Sequence, residues 1–345
     1  MPHWRFPAEW EPQAGILLAW PHADTDWALR LADVETTYVA LVAAITRFQP
    51  VLLCVANEAV QARARALLSQ ANIDLSTIRF IRIEYDDTWL RDSGPITLLN
   101  DSGDSRFLDF RFTGWGGKFE ASRDDALVSG LAARGVLRAQ AVERIDFALE
   151  GGAIETDGRG TLLSTWRCLA ERHGDDAREH VTRVLTQSLR QQRVLWLEHG
   201  YLEGDDTDAH IDTLARFAPD DAIVFQSCDD PADSHYAELQ AMADEIAALR
   251  TIDGRPYRLF PLPWARPILD EGRRLAASYA NFLIIDSAVL MPAYGDVADD
   301  AAAAVLAQAF PGREIVQVPG RALIWQNGSL HCVTMQIPKG AISHA

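Results

Sequence analysis

The chain has 345 residues, 48% hydrophobic and 23% charged, a globular mix that excludes a disordered chain, a collagen and a coiled coil. Thirty-two Lys and Arg against 49 Asp and Glu give a formal net charge of −17. Such a field repels phosphate backbones, so nucleic acid is an unfavourable partner and a small cationic substrate a suitable one.

In chain order, Asp26–Phe48 reads as one long helix opened by Asp or Thr. Val51–Ala56 is a short apolar run bounded by Pro50 and Asn57, a buried strand. Glu58–Gln70 has helical spacing, and Ile78–Ile83 mixes apolar and basic residues as a half-exposed strand does. Pro95–Leu99 with Arg106–Phe110, and Ala153–Thr156 with Thr161–Ser164, read as hairpins across Asp/Gly turns. Ala222–Gln226 reads as a strand, Asp233–Leu249 as a helix and Tyr257–Pro261 as a strand. Phe282–Asp286 and Val289–Pro292 flank a tight turn, Asp299–Phe310 is a helix and Glu314–Val318 a strand. No linker or composition break divides the text, which predicts one domain, 1–345, of small β/α modules. A doubly wound nucleotide-binding sheet lacks its fingerprints: Gly114-Trp115-Gly116-Gly117-Lys118 has the wrong spacing for a phosphate loop and reads as a glycine-rich loop.

Four cysteines, Cys54, Cys168, Cys228 and Cys332, form no C-x-x-C pair and no disulfide framework. The opening Met-Pro-His-Trp-Arg-Phe-Pro has no apolar leader. Apolar runs such as Tyr38–Ile45 fall far short of the roughly 20 residues of a membrane span. A soluble, cytoplasmic protein with no membrane partner is expected; homo-oligomerisation is left open. Cys54 lies in the strand Val51–Ala56 and is assigned to the core. Cys168 and Cys228 are read as structural.

Four segments carry candidate chemistry. Tyr85–Pro95 crowds Asp86, Asp87, Trp89, Arg91 and Asp92 into a loop at a strand end, where functional groups commonly lie. In Leu149-Glu150-Gly151-Gly152 an acid precedes two glycines that permit close backbone approach. In His210-Ile211-Asp212 an imidazole and a carboxylate face the same side if His210–Leu214 is extended. Such a pair can exchange protons, or supply part of a metal site. In Asn327–Thr334, Cys332 follows a glycine turn. If the strand begins by His331, the two side chains oppose each other and His331 is not the base of Cys332.

Spacing links these pieces. Asp92 to Glu150 is 58 residues, Glu150 to His210 is 60, and His210 to Cys332 is 122, twice 61. The skipped step falls near Asp270 and Glu271. A period of that size points to stacked or ringed modules, one loop from each reaching a common site. A thiol, an imidazole and three carboxylates there make a nucleophile, a proton shuttle and an anionic cradle. A planar cation such as a guanidinium fits, because each carboxylate can accept two parallel N–H bonds from it. No metal or organic cofactor is required, and further His or Cys ligands at suitable spacing are missing.

Taken together, Pro7–Pro12, Tyr85–Pro95, Gly114–Phe119, Glu150–Gly152, His210–Asp212 and Asn327–Cys332 resemble the agmatine deiminases of the pentein, or guanidino-group-modifying, superfamily. The likeness runs along nearly the whole chain with the motifs in order. It implies an α/β fold, a five-bladed propeller of ββαβ-type modules, and hydrolysis of agmatine to N-carbamoylputrescine and ammonia. By that resemblance Cys332 attacks the guanidinium carbon and His210 moves the protons. Asp92 and Asp212 hold the guanidinium nitrogens, and Glu150 orients substrate and His210. Trp89 and Trp115 are expected to line the substrate site, with Asp86 and Asp206 toward the tail; Asp206 is the favoured anchor for its ammonium. Ala209, where the family often has glycine, and the Asn327-Gly328-Ser329-Leu330 turn are departures that bear on substrate preference. The rivals are a deiminase of free or peptidyl arginine, a metal hydrolase using His210 and Asp212 with Glu150 and His331, a papain-like protease, and a non-catalytic polyamine-binding protein.

Overall fold

A computed structural model of the protein describes residues 3–138 and 141–342; the first two residues of the opening segment lie outside this range. The chain divides into two compact units. One comprises Met1–Trp4, Glu11–Gly151 and Cys332–Ala345; the other comprises Arg5–Trp10 and Gly152–His331.

The first unit holds two sheets. In one, Thr334–Pro338 runs antiparallel to Gln13–Ala19, and Val51–Val55 and then Ile78–Arg82 follow in parallel. Parallel neighbours need a crossover, supplied by the helices Leu31–Thr46 and Glu58–Gln70. Asn57 starts the second helix by accepting from the Val60 amide at 3.0 Å. In the other sheet, Ile96–Asn100 and Ser105–Arg111 form an antiparallel hairpin, and Val142–Ala148 returns parallel to the latter after the helix Leu127–Ala133. Leu17, Leu52, Cys54, Ile81, Phe107 and Leu131 pack in the core of this unit. Cys54 is a core residue, as its sequence context predicts, and burial pushes its thiol up to about 12.

The second unit repeats the pattern three times. Glu155–Thr156 pairs antiparallel with Thr161–Thr165, and Arg193–Leu197 lies parallel to the latter. Ala215–Ala218, Ala222–Gln226 and Arg258–Leu262 follow the same order, as do Leu283–Ile285, Ala288–Ala293 and Glu314–Pro319. Helices Trp166–His173 and Arg178–Ser188, then Tyr236–Ala248, then Asp299–Ala309 make the crossovers. Each of these three sheets is a strand–strand–helix–strand module, and Leu269–Asp270 with Arg273–Arg274 forms a small two-stranded sheet beside them in sequence. The period of about 60 residues read from isolated polar groups reappears here as topology. Among the described residues, no helix is long and apolar enough to cross a membrane.

Two helix starts differ from the sequence expectation. Asp26–Phe48 is split into a 3-10 turn, Asp26–Arg30, and the α-helix Leu31–Thr46. Trp27 is fully buried, its indole donating to Thr88 at 2.9 Å, and the backbone breaks at Arg30 (φ −128°, ψ 26°). The helix predicted from Asp233 starts at Tyr236 instead. The Asp233 carboxylate is taken up by Trp264, Arg274 and the amide of His235, which hold the preceding loop outside the helix.

Candidate active site

In the first unit, the short helix Leu90–Ser93 gathers several expected residues. Its Arg91 amide donates to the Cys332 carbonyl at 3.1 Å, tying the thiol's backbone to the turn that carries Asp92. Asp92 is buried, and its Oδ2 accepts from Trp115 Nε1 at 2.9 Å. Glu150, also buried, is brought to the same turn by the glycine after it. A Cβ on Gly151 would stand 2.2 Å from the Arg91 carbonyl oxygen, so only glycine allows this approach. The backbones of Cys332 and Gly151 thus meet the Leu90–Ser93 turn, whose Asp92 side chain takes the Trp115 indole.

Trp115 reaches Asp92 from a left-handed backbone position, φ 56°, inside a turn rich in positive φ. The glycine-rich stretch serves to aim an indole rather than to cradle a phosphate. Phe112 and Phe119 pack edge-on against that indole. Trp89 stacks on Trp27 at 5.7 Å and donates to Asp87 Oδ2 at 3.1 Å. Asp86 accepts from the Arg123 amide at 2.8 Å and pairs with its guanidinium at 3.6 Å, which anchors the Ser122–Asp125 turn. Burial raises the carboxyls of Asp87, to about 7, and Asp124, to about 8, against the lowering effect of backbone amides that they accept.

In the second unit, His210 is fully buried. Asp205 builds the loop before it, accepting from Thr207 Oγ1 at 2.6 Å and from the Ala209 amide at 2.8 Å. Thr165 Oγ1 donates to the Ala209 carbonyl at 2.6 Å, and Arg172 pairs with Asp208 at 2.6 Å. Asp208 and Ala209 have φ of 67° and 71°. Glycine takes that conformation without a Cβ penalty, whereas Ala209 bears one.

The extended reading of His210–Leu214 is overturned. Ile211–Thr213 is a 3-10 turn and the strand starts at Ala215. Thr213 Oγ1 donates to the His210 carbonyl at 2.9 Å while Ile211 enters the core, so alternation of a strand does not set the directions of His210 and Asp212. The strand after Cys332 likewise begins only at Thr334, which removes the alternation argument about His331. Asp206, the expected tail anchor, accepts from Asn327 Nδ2 at 2.9 Å.

Sequence reasoning passed over a buried network in this unit. Asp212 Oδ2 meets His331 Nδ1 at 2.7 Å, and His331 Nε2 meets Glu9 Oε2, also at 2.7 Å. Glu9 accepts from Arg216 Nη2 at 2.8 Å and from the Ile284 amide at 2.7 Å, and Arg216 Nε donates to Glu155 at 2.7 Å. Burial opposes the Arg216 charge, but Glu155 and Glu9 outweigh it and raise its pKa. Burial also opposes ionisation of Asp212, yet the hydrogen bond and charge of His331, with His210 and Arg216, hold its carboxyl below the usual range. The available signal was Arg216 itself, a charge inside the wholly buried strand Ala215–Ala218. Cys168 is fully buried, and its sulfur lies within 4.8 Å of a His210 ring nitrogen. Cys228 hydrogen-bonds the Asp230 carbonyl and has a raised pKa from burial. A carboxylate oxygen lies 2.7 Å from each ring nitrogen of His331, and these contacts occupy both of the ring positions that the metal set considered above would use.

A family model for the Porphyromonas-type peptidyl-arginine deiminases matches residues 5–338. The agmatine deiminase of Pseudomonas putida is 34% identical over 358 residues, covering 96% of this chain and 95% of that protein. A substrate-bound Cys-to-Ser form of C. jejuni agmatine deiminase superposes with a TM-score of 0.90 at 33% identity, over 98% and 97% of the two chains. A Porphyromonas gingivalis structure described as a proposed arginine deiminase gives 0.91 at 43% identity, over 99% and 100%. On this α/β framework, the relatives are enzymes of deimination. The chain belongs to the Porphyromonas-type peptidyl-arginine deiminase family.

Proposed function

We propose that the protein hydrolyses agmatine to N-carbamoylputrescine and ammonia. The observation that carries this reading is end-to-end similarity to agmatine deiminases, one of them with substrate bound. In the proposed reaction Cys332, as thiolate, adds to the guanidinium carbon. His210 gives a proton to one amino nitrogen, which leaves as ammonia, and a cationic amidino-cysteine intermediate remains. His210 then takes a proton from water, whose oxygen attacks that carbon. Collapse of the hydroxyl adduct expels the Cys332 thiolate and leaves the substituted urea, while the hydroxyl proton passes to the released ammonia, which departs as ammonium. Asp92 and Asp212 pin the guanidinium nitrogens, with Glu150 orienting substrate and imidazole. Trp89 and Trp115 line the site, and Asp86 and Asp206 face the tail of the substrate.

The −17 net charge and the acidic loop Asp205–Asp208 favour a doubly cationic amine over arginine, whose carboxylate calls for a cationic partner. We further propose that 1–345 acts as one catalytic domain, a five-bladed propeller with one blade per strand–strand–helix–strand module. Four free cysteines suit a reducing cytoplasm, and self-association is compatible with this reading.

Mass spectrometry of enzyme quenched during turnover tests it. An amidino adduct on Cys332 from agmatine, absent in Cys332→Ser, is the expected result. The second reading, arginine deimination, is favoured by the 43% identical P. gingivalis structure. Ammonia release from arginine or a blocked arginyl peptide, but not from agmatine, would replace the first reading with it.

A further inference from the structure

The second unit contains a histidine with no assigned part in the reaction, and its surroundings are unusual. His331 is almost wholly buried, and a carboxylate oxygen lies 2.7 Å from each ring nitrogen: Asp212 Oδ2 at Nδ1 and Glu9 Oε2 at Nε2. A neutral imidazole carries one N–H and can donate to only one of them. Either the ring is an imidazolium or one carboxyl holds the proton.

The neighbouring charges decide between these. Glu9 Oε2 also accepts from the Arg216 guanidinium, and Oε1 accepts from the Ile284 amide. Three donors converge on an ionised Glu9, and a proton on Oε2 would meet Arg216 head-on. The groups facing this cluster are Glu9 from the N-terminal segment, Asp212 and His210 from the turn, Arg216 from its strand, and Glu155 opposite Arg216. Three carboxylates against one guanidinium leave two negative charges; an imidazolium at 331 reduces these to one. The backbone is fixed as well. The His331 amide donates to Asn281 Oδ1 at 3.0 Å, and Asn281 Nδ2 donates to the Asp212 carbonyl at 3.3 Å.

We propose that His331 is a positioning residue, an imidazolium held between Glu9 and Asp212 that fixes the orientation and charge of the Asp212 carboxylate for a cationic substrate. This rests on the proposed role of Asp212 as a guanidinium ligand. Asp212 Oδ2 is held by a donor that does not compete for the substrate's carbon. Glu9 and Arg216 act one step further back, keeping the imidazolium charged and in place.

Nitrogen-15 NMR of the histidine rings of the full-length, substrate-free enzyme at pH 7, with His331 assigned from the spectrum of His331→Gln, reads the first half of the proposal. Protons on both ring nitrogens are expected. A single protonated nitrogen overturns it, whatever the activity. Kinetics with Glu9→Gln read the second half. That change keeps the side-chain shape and an acceptor for Ile284 but removes the charge. It is expected to lower kcat/KM for agmatine by roughly 10- to 100-fold, chiefly through KM. The control is Leu306→Ala, a cavity variant in the core of the same unit, with wild-type KM expected despite lowered thermal stability. Wild-type KM in Glu9→Gln, or an equal rise in KM in Leu306→Ala, overturns the positioning role. Wild-type enzyme that releases no ammonia from agmatine would instead defeat the functional reading, and the ring-nitrogen result would still decide the state of His331.

Discussion

Trp115 Nε1 donates to Asp92 Oδ2 at 2.9 Å, and it does so from a backbone conformation, φ 56°, that a bulky residue rarely adopts. The turn accepts local strain to deliver one hydrogen bond to one carboxylate. Thr113 braces it by accepting from the Gly116 amide at 3.0 Å, and Phe112 and Phe119 hold the ring.

Replacing Trp115 with Phe keeps an aromatic ring but removes the donor. A hydrogen bond to a charged acceptor is worth about 1.5–3 kcal/mol. In steady-state ammonia release from agmatine, kcat/KM of Trp115→Phe is therefore expected to fall roughly 10- to 100-fold, with a lowered thermal midpoint, because the bond is also part of the substrate-free fold. Unaltered kinetics would show that Asp92 is positioned without its indole partner.

Position 209 tests the loop that presents His210. Ala209 sits at φ 71° and is buried among Leu163, Ile211 and Leu214. The left-handed conformation costs an alanine about 1–2 kcal/mol. Glycine escapes that cost but loses roughly 0.5–1 kcal/mol of chain entropy and a buried methyl worth about 0.8 kcal/mol. Ala209→Gly is thus expected to lie within about 1 kcal/mol of wild type. Ala209→Val adds β-branching to the left-handed backbone and extra volume to a packed core, and should lose about 2–3 kcal/mol. Denaturant midpoints at constant slope measure both. A valine variant as stable as wild type would refute the conformational argument.

Gly151 is a sharper constraint. A Cβ there would stand 2.2 Å from the Arg91 carbonyl oxygen and 3.3 Å from Met335 Cε. The first clash is with backbone, so the turn carrying Asp92 must move. Gly151→Ala should lose at least about 1–3 kcal/mol and change the alkylation rate of the Cys332 thiol, whose backbone is bonded to Arg91. Wild-type stability together with wild-type alkylation would mean that the turn yields freely.

Local signals were legible in the sequence, and long-range ones were not. Glu58–Gln70 and Ala222–Gln226 were read with their observed bounds, because periodicity, the Asn57 cap and a short apolar run are all local. The break at Arg30 was hidden because burial of Trp27 against Thr88, 61 residues away, causes it. The spacing of Asp92, Glu150, His210 and Cys332 hinted at modules, yet the repeat is one of topology rather than of residues. The His331–Glu9 pair spans 322 residues, and no window of sequence joins them. Arg216 within a wholly buried strand was a sign that counter-charges had to exist, although not where they lay.

The pH dependence of stability offers a test of the Tyr85–Pro95 loop. Asp124 accepts the backbone amides of Asp86 and Asp87, at 2.8 Å and 3.1 Å, and burial raises its carboxyl to about 8. An unfolded aspartate titrates near 3.9. Between about pH 4 and about 8 the native state therefore holds a proton that the unfolded state has released, and stability falls as pH rises through that window. Asp124→Asn imitates the protonated side chain, keeps an acceptor for the amides, and does not titrate. Its thermal midpoint relative to wild type should rise steadily from pH 5 to pH 8, with Asp87, raised to about 7, leaving part of the slope in both proteins. A difference independent of pH across that range would mean that Asp124 is ionised in the fold, its charge met by the two amides, and that burial is the weaker influence on it.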